Sequence, residues 1–155
     1  MTYRAETYET VLEQLEGILV NNTDPITAMV TINSLLKYNF DEFYWVGFYR
    51  MFDTQLVVGP YQGTLGCLYI PIGKGVCGTS AANQQTLIVK DVDKFPGHIA
   101  CDPLSKSEIV IPVFDKNREV RAVLDIDSDK PDNFSDIDKS YLERIVTRHL
   151  EHCYS

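Results

Sequence analysis

Ser107-Glu108-Ile109-Val110-Ile111-Pro112-Val113-Phe114-Asp115-Lys116-Asn117-Arg118-Glu119-Val120-Arg121-Ala122-Val123-Leu124-Asp125-Ile126-Asp127-Ser128 decides how the rest of the chain is read. Two runs rich in β-branched residues, Glu108 to Phe114 and Glu119 to Ser128, flank the polar Asp115-Lys116-Asn117-Arg118, the pattern of an antiparallel hairpin. With Lys116-Asn117 as a two-residue turn, Glu108 falls opposite Asp125. Strand alternation then sets Asp127 on that same face and turns Leu124 and Ile126 to the other. Like charges directly opposite each other repel, so such a cluster calls for an ammonium group or a metal ion. The competing reading is a solvated acidic face, because the register rests on one turn and a one-residue bulge would scatter the cluster.

Upstream of this hairpin, Phe43-Tyr44-Trp45-Val46-Gly47-Phe48-Tyr49 and Leu56-Val57-Val58 form a second one across Asp53-Thr54. Trp45, Phe48 and Tyr49 read as core on periodicity alone. Tyr69 to Ile72 and Thr86 to Val89 are short strands on either side of a helical segment over Val76–Ala82. The stretch from Asp91 to Ser107 is loop-like. Val11, Leu12, Leu15, Ile18 and Leu19 recur at helical spacing. Asp24-Pro25 opens a second helix that carries Met29, Val30, Ile32, Leu35 and Leu36. Ser135 and Asp138 start a closing helix in capping-box fashion, with Ile137, Tyr141, Leu142, Ile145 and Val146 as its inner face. Two helices, interrupted strands and a closing helix predict an α+β fold around a mostly antiparallel sheet.

The chain has 155 residues, 45% of them apolar and 23% charged, with a formal net charge of −8. That length suits one domain over 1–155, burying roughly 70% of the surface of the unfolded chain without a disulfide or metal staple. The acidic balance and the lack of a basic stripe argue against nucleic acid. The amino terminus, Met1-Thr2-Tyr3-Arg4-Ala5-Glu6, is no secretory signal, and the apolar runs are far short of the ~20 residues of a membrane helix. A cytoplasmic protein is expected. In a reducing compartment, four cysteines point to catalytic, redox, metal-binding or inert buried thiols rather than permanent disulfides.

Gly73-Lys74-Gly75-Val76-Cys77-Gly78 matches a dinucleotide-binding pattern, but the neighbouring strands are antiparallel and the helix is short, so that reading is rejected. The glycines instead bring the backbone close to something small. Cys77 then lies near a helix N-terminus whose dipole favours thiolate, which on residues alone makes it the preferred nucleophile. Cys67, Cys77 and Cys101 all lie on or beside loops, as a nucleophile with resolving thiols requires. Zinc held by His98 and Cys101 is a weak alternative without a C-x-x-C spacing. Cys153, in the tail of the last helix, reads as idle.

Tyr44-Trp45-Val46-Gly47-Phe48-Tyr49, Gly75-Val76-Cys77-Gly78-Thr79, Phe95-Pro96-Gly97-His98-Ile99-Ala100-Cys101-Asp102, Ser107-Glu108-Ile109-Val110 and Val123-Leu124-Asp125-Ile126-Asp127-Ser128 closely resemble the free methionine-(R)-sulfoxide reductases. The chain departs from that family at Arg121-Ala122, where a small residue such as glycine usually precedes Val-Leu-Asp. The resemblance implies a GAF fold, a six-stranded antiparallel sheet flanked by helices. It implies that Cys101 attacks the sulfoxide sulfur, that Cys67 is the principal resolving thiol and Cys77 an auxiliary one, and that thioredoxin reduces the resulting disulfide. Glu108, Asp125 and Asp127 would share the ammonium and the sulfoxide oxygen. The N–H groups around Ile99 and Ala100 would hold that oxygen, and Trp45 and Tyr49 would enclose the S-methyl group. No cofactor and no metal are expected. Free methionine-(R)-sulfoxide is the expected substrate, and a homodimer is open, since many relatives are dimers. The competing functions are a non-catalytic GAF module that binds a small ligand and a redox sensor switching through Cys67 and Cys101.

Overall fold

The computed structural model describes residues 1–99 and 101–154. The amino-terminal periodicity folds as α1 (Tyr3–Ile18) and α2 (Pro25–Asn39), the latter capped by Asp24, whose carboxylate accepts from the Ile26 N–H, with Pro25 leading. There follow β1 (Trp45–Phe52), β2 (Gln55–Gln62), β3 (Tyr69–Pro71), α3 (Gly75–Asn83) and β4 (Leu87–Val89). A 3-10 turn at Val92–Lys94, β5 (Ser107–Phe114), β6 (Val120–Ser128), α4 (Asp136–Leu150) and a closing 3-10 turn at Glu151–Tyr154 complete the chain. The strands form one six-stranded sheet in the order β3-β2-β1-β6-β5-β4, every pair antiparallel. The α+β expectation holds. Among the described residues, no helix is long and apolar enough to cross a membrane.

Both faces of the sheet are covered. Phe48, Ile109, Ile111, Leu124 and Ile126 point to one side, where they pack with Leu15 of α1, Met29, Ile32 and Leu36 of α2, and Leu142 and Ile145 of α4. Trp45, Tyr49, Val110 and Val123 point to the other, with Val76, Cys77 and Ala81 of α3. Burial on both sides explains why β5 reads as an almost unbroken apolar run rather than an alternating one.

The hairpin register differs from the sequence expectation by two residues: Glu108 pairs with Asp127, and Val110 pairs with Asp125. Two insertions cause this. The turn is one residue longer than two, with the Asp115 N–H donating to the Glu119 carbonyl (2.9 Å) and Arg118 left-handed at φ 65°. A bulge then intervenes where Phe114 pairs with Val120 but Val113 with Ala122, leaving Arg121 as the extra residue. Each insertion alone would flip the acids to the opposite face. Together they restore it. Arg121, the departure from the family pattern, is taken up in that bulge and bonds Asp115 at 3.4 Å.

Ile137 is also corrected: it is 37% exposed, and Asp138 takes the inward position in the first turn of α4. The Asp138 carboxylate is held there by the Tyr8 hydroxyl (2.6 Å) and the Arg4 guanidinium (2.9 Å), which tie α4 to α1. Charged hydrogen bonds of this kind contribute about 1.5–3 kcal/mol each.

Candidate active site

The acidic cluster belongs to the adjacent strands β5 and β6. Glu108 on β5 and Asp125 and Asp127 on β6 are joined across β1 by Trp45, opposite Asp127, and by Gly47, opposite Asp125. The missing side chain at Gly47 is required: a Cβ there would lie 2.3 Å from Tyr61 Cβ and 2.6 Å from the Trp45 ring. Trp45 therefore lies flat over the glycine, stacked between Tyr61 (5.0 Å between centroids) and Tyr49 (5.8 Å). Its indole N–H donates to the Thr64 carbonyl (2.8 Å), fixing the loop that carries Cys67. Trp45 and Tyr49 thus wall the site, while Phe48, on the alternate face, is core.

Above the sheet, the loop after β2 and the loop before β5 meet. Cys67 and Cys101 form a disulfide with Cα atoms 5.4 Å apart, across 34 residues of sequence. The Thr64 hydroxyl donates to the Asp102 carboxylate, which also accepts the Leu104 N–H (2.9 Å). These bonds hold the Asp102 carboxyl below its usual pKa range. The Thr64–Asp102 bond ties the two cysteine loops together beside the disulfide.

The enclosed cavity has a volume of about 40 Å³ and is lined by Trp45, Tyr49, Leu65, Gly66, Cys77, His98, Ile99, Cys101, Ser105, Glu108, Asp125 and Asp127, among others. A larger concavity of about 1130 Å³ runs along α1 and α4, but its lining, which includes Glu13, Glu16 and Lys139, holds no cysteine. Cys77, Cys101 and the three carboxylates line the smaller one.

Glu108 and Asp125 are buried, at 6% and 5% exposure, and no lysine or arginine lines the cavity among the described residues. Burial and mutual repulsion push Glu108 and Asp127 well above the ordinary carboxylate range. Asp125 is raised by burial, with hydrogen bonds from Glu108 and Cys77 opposing the rise. Asp127 accepts from the Ser105 hydroxyl (3.2 Å), and Asp125 Oδ1 has no partner.

Cys77 enters this cluster from α3, its Sγ 3.9 Å from Glu108 Oε2. The helix-dipole expectation for Cys77 is overturned. Desolvation, then the charges of Asp125 and Glu108, push its thiol well above the usual value, which outweighs the helix N-terminus. Of the glycines around it, Gly78 packs against protein: a Cβ there would lie 2.4 Å from the Pro71 carbonyl oxygen, and its carbonyl accepts from the Gly73 N–H (2.8 Å).

Ile99 lines the cavity and packs over Gly75; Ala100 lies outside the described residues. His98 is also at the wall, and burial lowers its pKa, but Cys101 is committed to the disulfide and the two form no metal-ligand group among the described residues. Cys153 is not part of the lining and bonds the His149 carbonyl at 3.5 Å. Thr64, Ser105 and Asp102 were not legible as site residues, since a polar loop carries no periodicity to mark them.

Residues 29–148 match the GAF domain family. GAF domain-containing protein A of Dictyostelium discoideum is 48% identical over 144 residues, 92% of this chain and 90% of that protein. Free methionine-R-sulfoxide reductase of Escherichia coli (strain K12) is 38% identical over 145 residues, 94% of this chain and 87% of that protein. The X-ray structure of free methionine-R-sulfoxide reductase from Neisseria meningitidis, in complex with its substrate, superimposes with a TM-score of 0.92 at 38% identity, covering 99% of this chain and 92% of that one. A six-stranded antiparallel GAF sheet, a cysteine pair closed into a disulfide and relatives of this kind converge on one assignment: the chain belongs to the GAF-domain family, in the branch of the free methionine-R-sulfoxide reductases.

Proposed function

We propose that this chain, acting as a single GAF unit over 1–155, reduces free methionine-(R)-sulfoxide to methionine at the expense of two of its own thiols. The observation that carries the reading is the Cys67–Cys101 disulfide at a cavity floored by Glu108, Asp125 and Asp127. In the cycle, Cys101 attacks the sulfoxide sulfur while a protonated carboxyl gives its proton to the sulfoxide oxygen. That oxygen passes as hydroxyl to the Cys101 sulfur as the transient bond between the two sulfurs opens, so methionine leaves and Cys101 becomes a sulfenic acid. Cys67 then attacks that sulfenic sulfur, forming the disulfide and releasing water. Cys77 stands as the auxiliary thiol.

The three carboxyls divide the work by protonation. Glu108 and Asp127, pushed well up by burial and repulsion, are suited to donate to the sulfoxide oxygen. Asp125, whose Oδ1 has no partner, is suited to accept from the substrate's ammonium. The Ile99 N–H orients the sulfoxide oxygen, and Trp45 and Tyr49 close over the S-methyl group.

A dithiol protein of the thioredoxin type returns the disulfide to two thiols, and the cycle requires a reducing compartment such as the cytoplasm. The test is consumption of free methionine-(R)-sulfoxide with dithiothreitol as the reductant. Turnover of the R epimer is expected. A protein that binds the sulfoxide but never converts it would be a binding module instead.

A further inference from the structure

Cys77 is excluded from the disulfide and buried, at 4% exposure, yet it does not lie among apolar neighbours alone. Its sulfur, a Glu108 oxygen and an Asp125 oxygen all lie within 4.8 Å of one another, on α3, β5 and β6 respectively. Asp125 is 95% buried and aims into the same space, where its Oδ1 has no hydrogen-bond partner. Such a group, taken out of water and left unpaired, costs free energy that a ligand can recover. No lysine or arginine lines the cavity among the described residues to supply the missing positive charge.

One thiolate sulfur with two carboxylate oxygens is a mixed soft and hard donor set, which suits a borderline cation of the zinc type rather than magnesium or calcium. Zinc–sulfur and zinc–oxygen bonds of about 2.3 Å and 2.0–2.2 Å bring tetrahedral ligand atoms within 4 Å of each other, so small side-chain rotations close the observed spacing. A cavity of about 40 Å³ accommodates an ion with one water as its fourth ligand. We propose that Cys77, Glu108 and Asp125 form a site for one thiophilic divalent cation of the zinc or cadmium type. This does not depend on the reductase reading, because it needs no turnover.

The disulfide-bonded protein isolates the question, since Cys67 and Cys101 are then spent and only Cys77 and Cys153 can offer a thiolate. Titration with cadmium chloride, read by the ultraviolet thiolate-to-cadmium charge-transfer absorbance, should give a saturable signal at one ion per chain, displaced by zinc. Cys153→Ser should leave that signal unchanged, and Cys77→Ser should abolish it. Asp125→Asn and Glu108→Gln, which keep the thiol, should each weaken binding at least tenfold. No signal in the wild-type protein, a signal that survives Cys77→Ser or disappears with Cys153→Ser, or unchanged affinity in both carboxamide variants would overturn the site.

Discussion

Acylating the substrate's nitrogen is the sharpest perturbation the site invites. A free amino acid brings one positive charge to a pocket whose polar floor is Glu108, Asp125 and Asp127, with no lysine or arginine in its lining among the described residues. In N-acetyl-methionine sulfoxide that charge is gone. Asp125 must then either remain ionised and unpaired or take up a proton, and it faces an amide in place of three ammonium donors. Removing one partner from a buried charged pair costs about 3–5 kcal/mol, and each 1.4 kcal/mol is tenfold, so kcat/KM should fall by about 10²-fold or more. The assay is a pair of kcat/KM values for free and N-acetyl sulfoxide, R and S epimers apart, in the wild-type protein and in Asp125→Asn. Asp125→Asn should lower activity on the free amino acid and narrow its advantage over the acetylated form. Equal kcat/KM for the two nitrogen states in the wild-type protein would refute the role given to the cluster.

Cys67→Ser should complete a single turnover, leave a sulfenic acid on Cys101 that a dimedone-type probe labels, and then stall with thioredoxin; steady thioredoxin-driven turnover would argue against Cys67 as the resolving thiol. Gly78→Ala sets a methyl group 2.4 Å from the Pro71 carbonyl oxygen, backbone that cannot swing away, so thermal unfolding should report a loss of about 1–3 kcal/mol; an unchanged Tm would mean that α3 is free to shift. His149 is buried in α4, and desolvation chiefly lowers its pKa, aided by Arg148 and His152 and opposed by Glu16. The unfolded chain therefore binds more protons than the folded one, so stability present above about pH 6.5 is lost as pH falls. Urea midpoints at about pH 5 and 7.5 should differ less in His149→Gln than in the wild-type protein, and equal differences would remove His149 as the source.

Much of the fold was legible because local and tertiary signals agree. Asp24-Pro25 caps α2 as its residue types require, and Asp53 turns the first hairpin at φ 52°. The acidic face was legible in composition but not in register. Alternation fixes which residues share a face, whereas the pairing depends on a left-handed Arg118 and a bulge at Arg121, neither of which a periodicity reveals. Ile137 was misread because helical spacing counts apolar residues and cannot foresee that Arg4 and Tyr8 draw a carboxylate inward instead. Cys77 was misread for the converse reason. A helix N-terminus is visible in sequence, but three carboxylates arriving from β5 and β6 exist only once the sheet has formed. The loops that join Cys67 to Cys101 hold together through Thr64 and Asp102, a contact across 38 residues with no sequence pattern of its own.

The most direct test of the account is a single turnover on fully reduced protein. One equivalent of free methionine-(R)-sulfoxide should yield one equivalent of methionine and consume two thiols, and peptide mapping should find those two joined as Cys67–Cys101 with Cys77 still free. The S epimer should leave the thiols untouched, and Cys101→Ser should release no methionine. Methionine formed at the wild-type rate by Cys101→Ser would contradict the account at its centre.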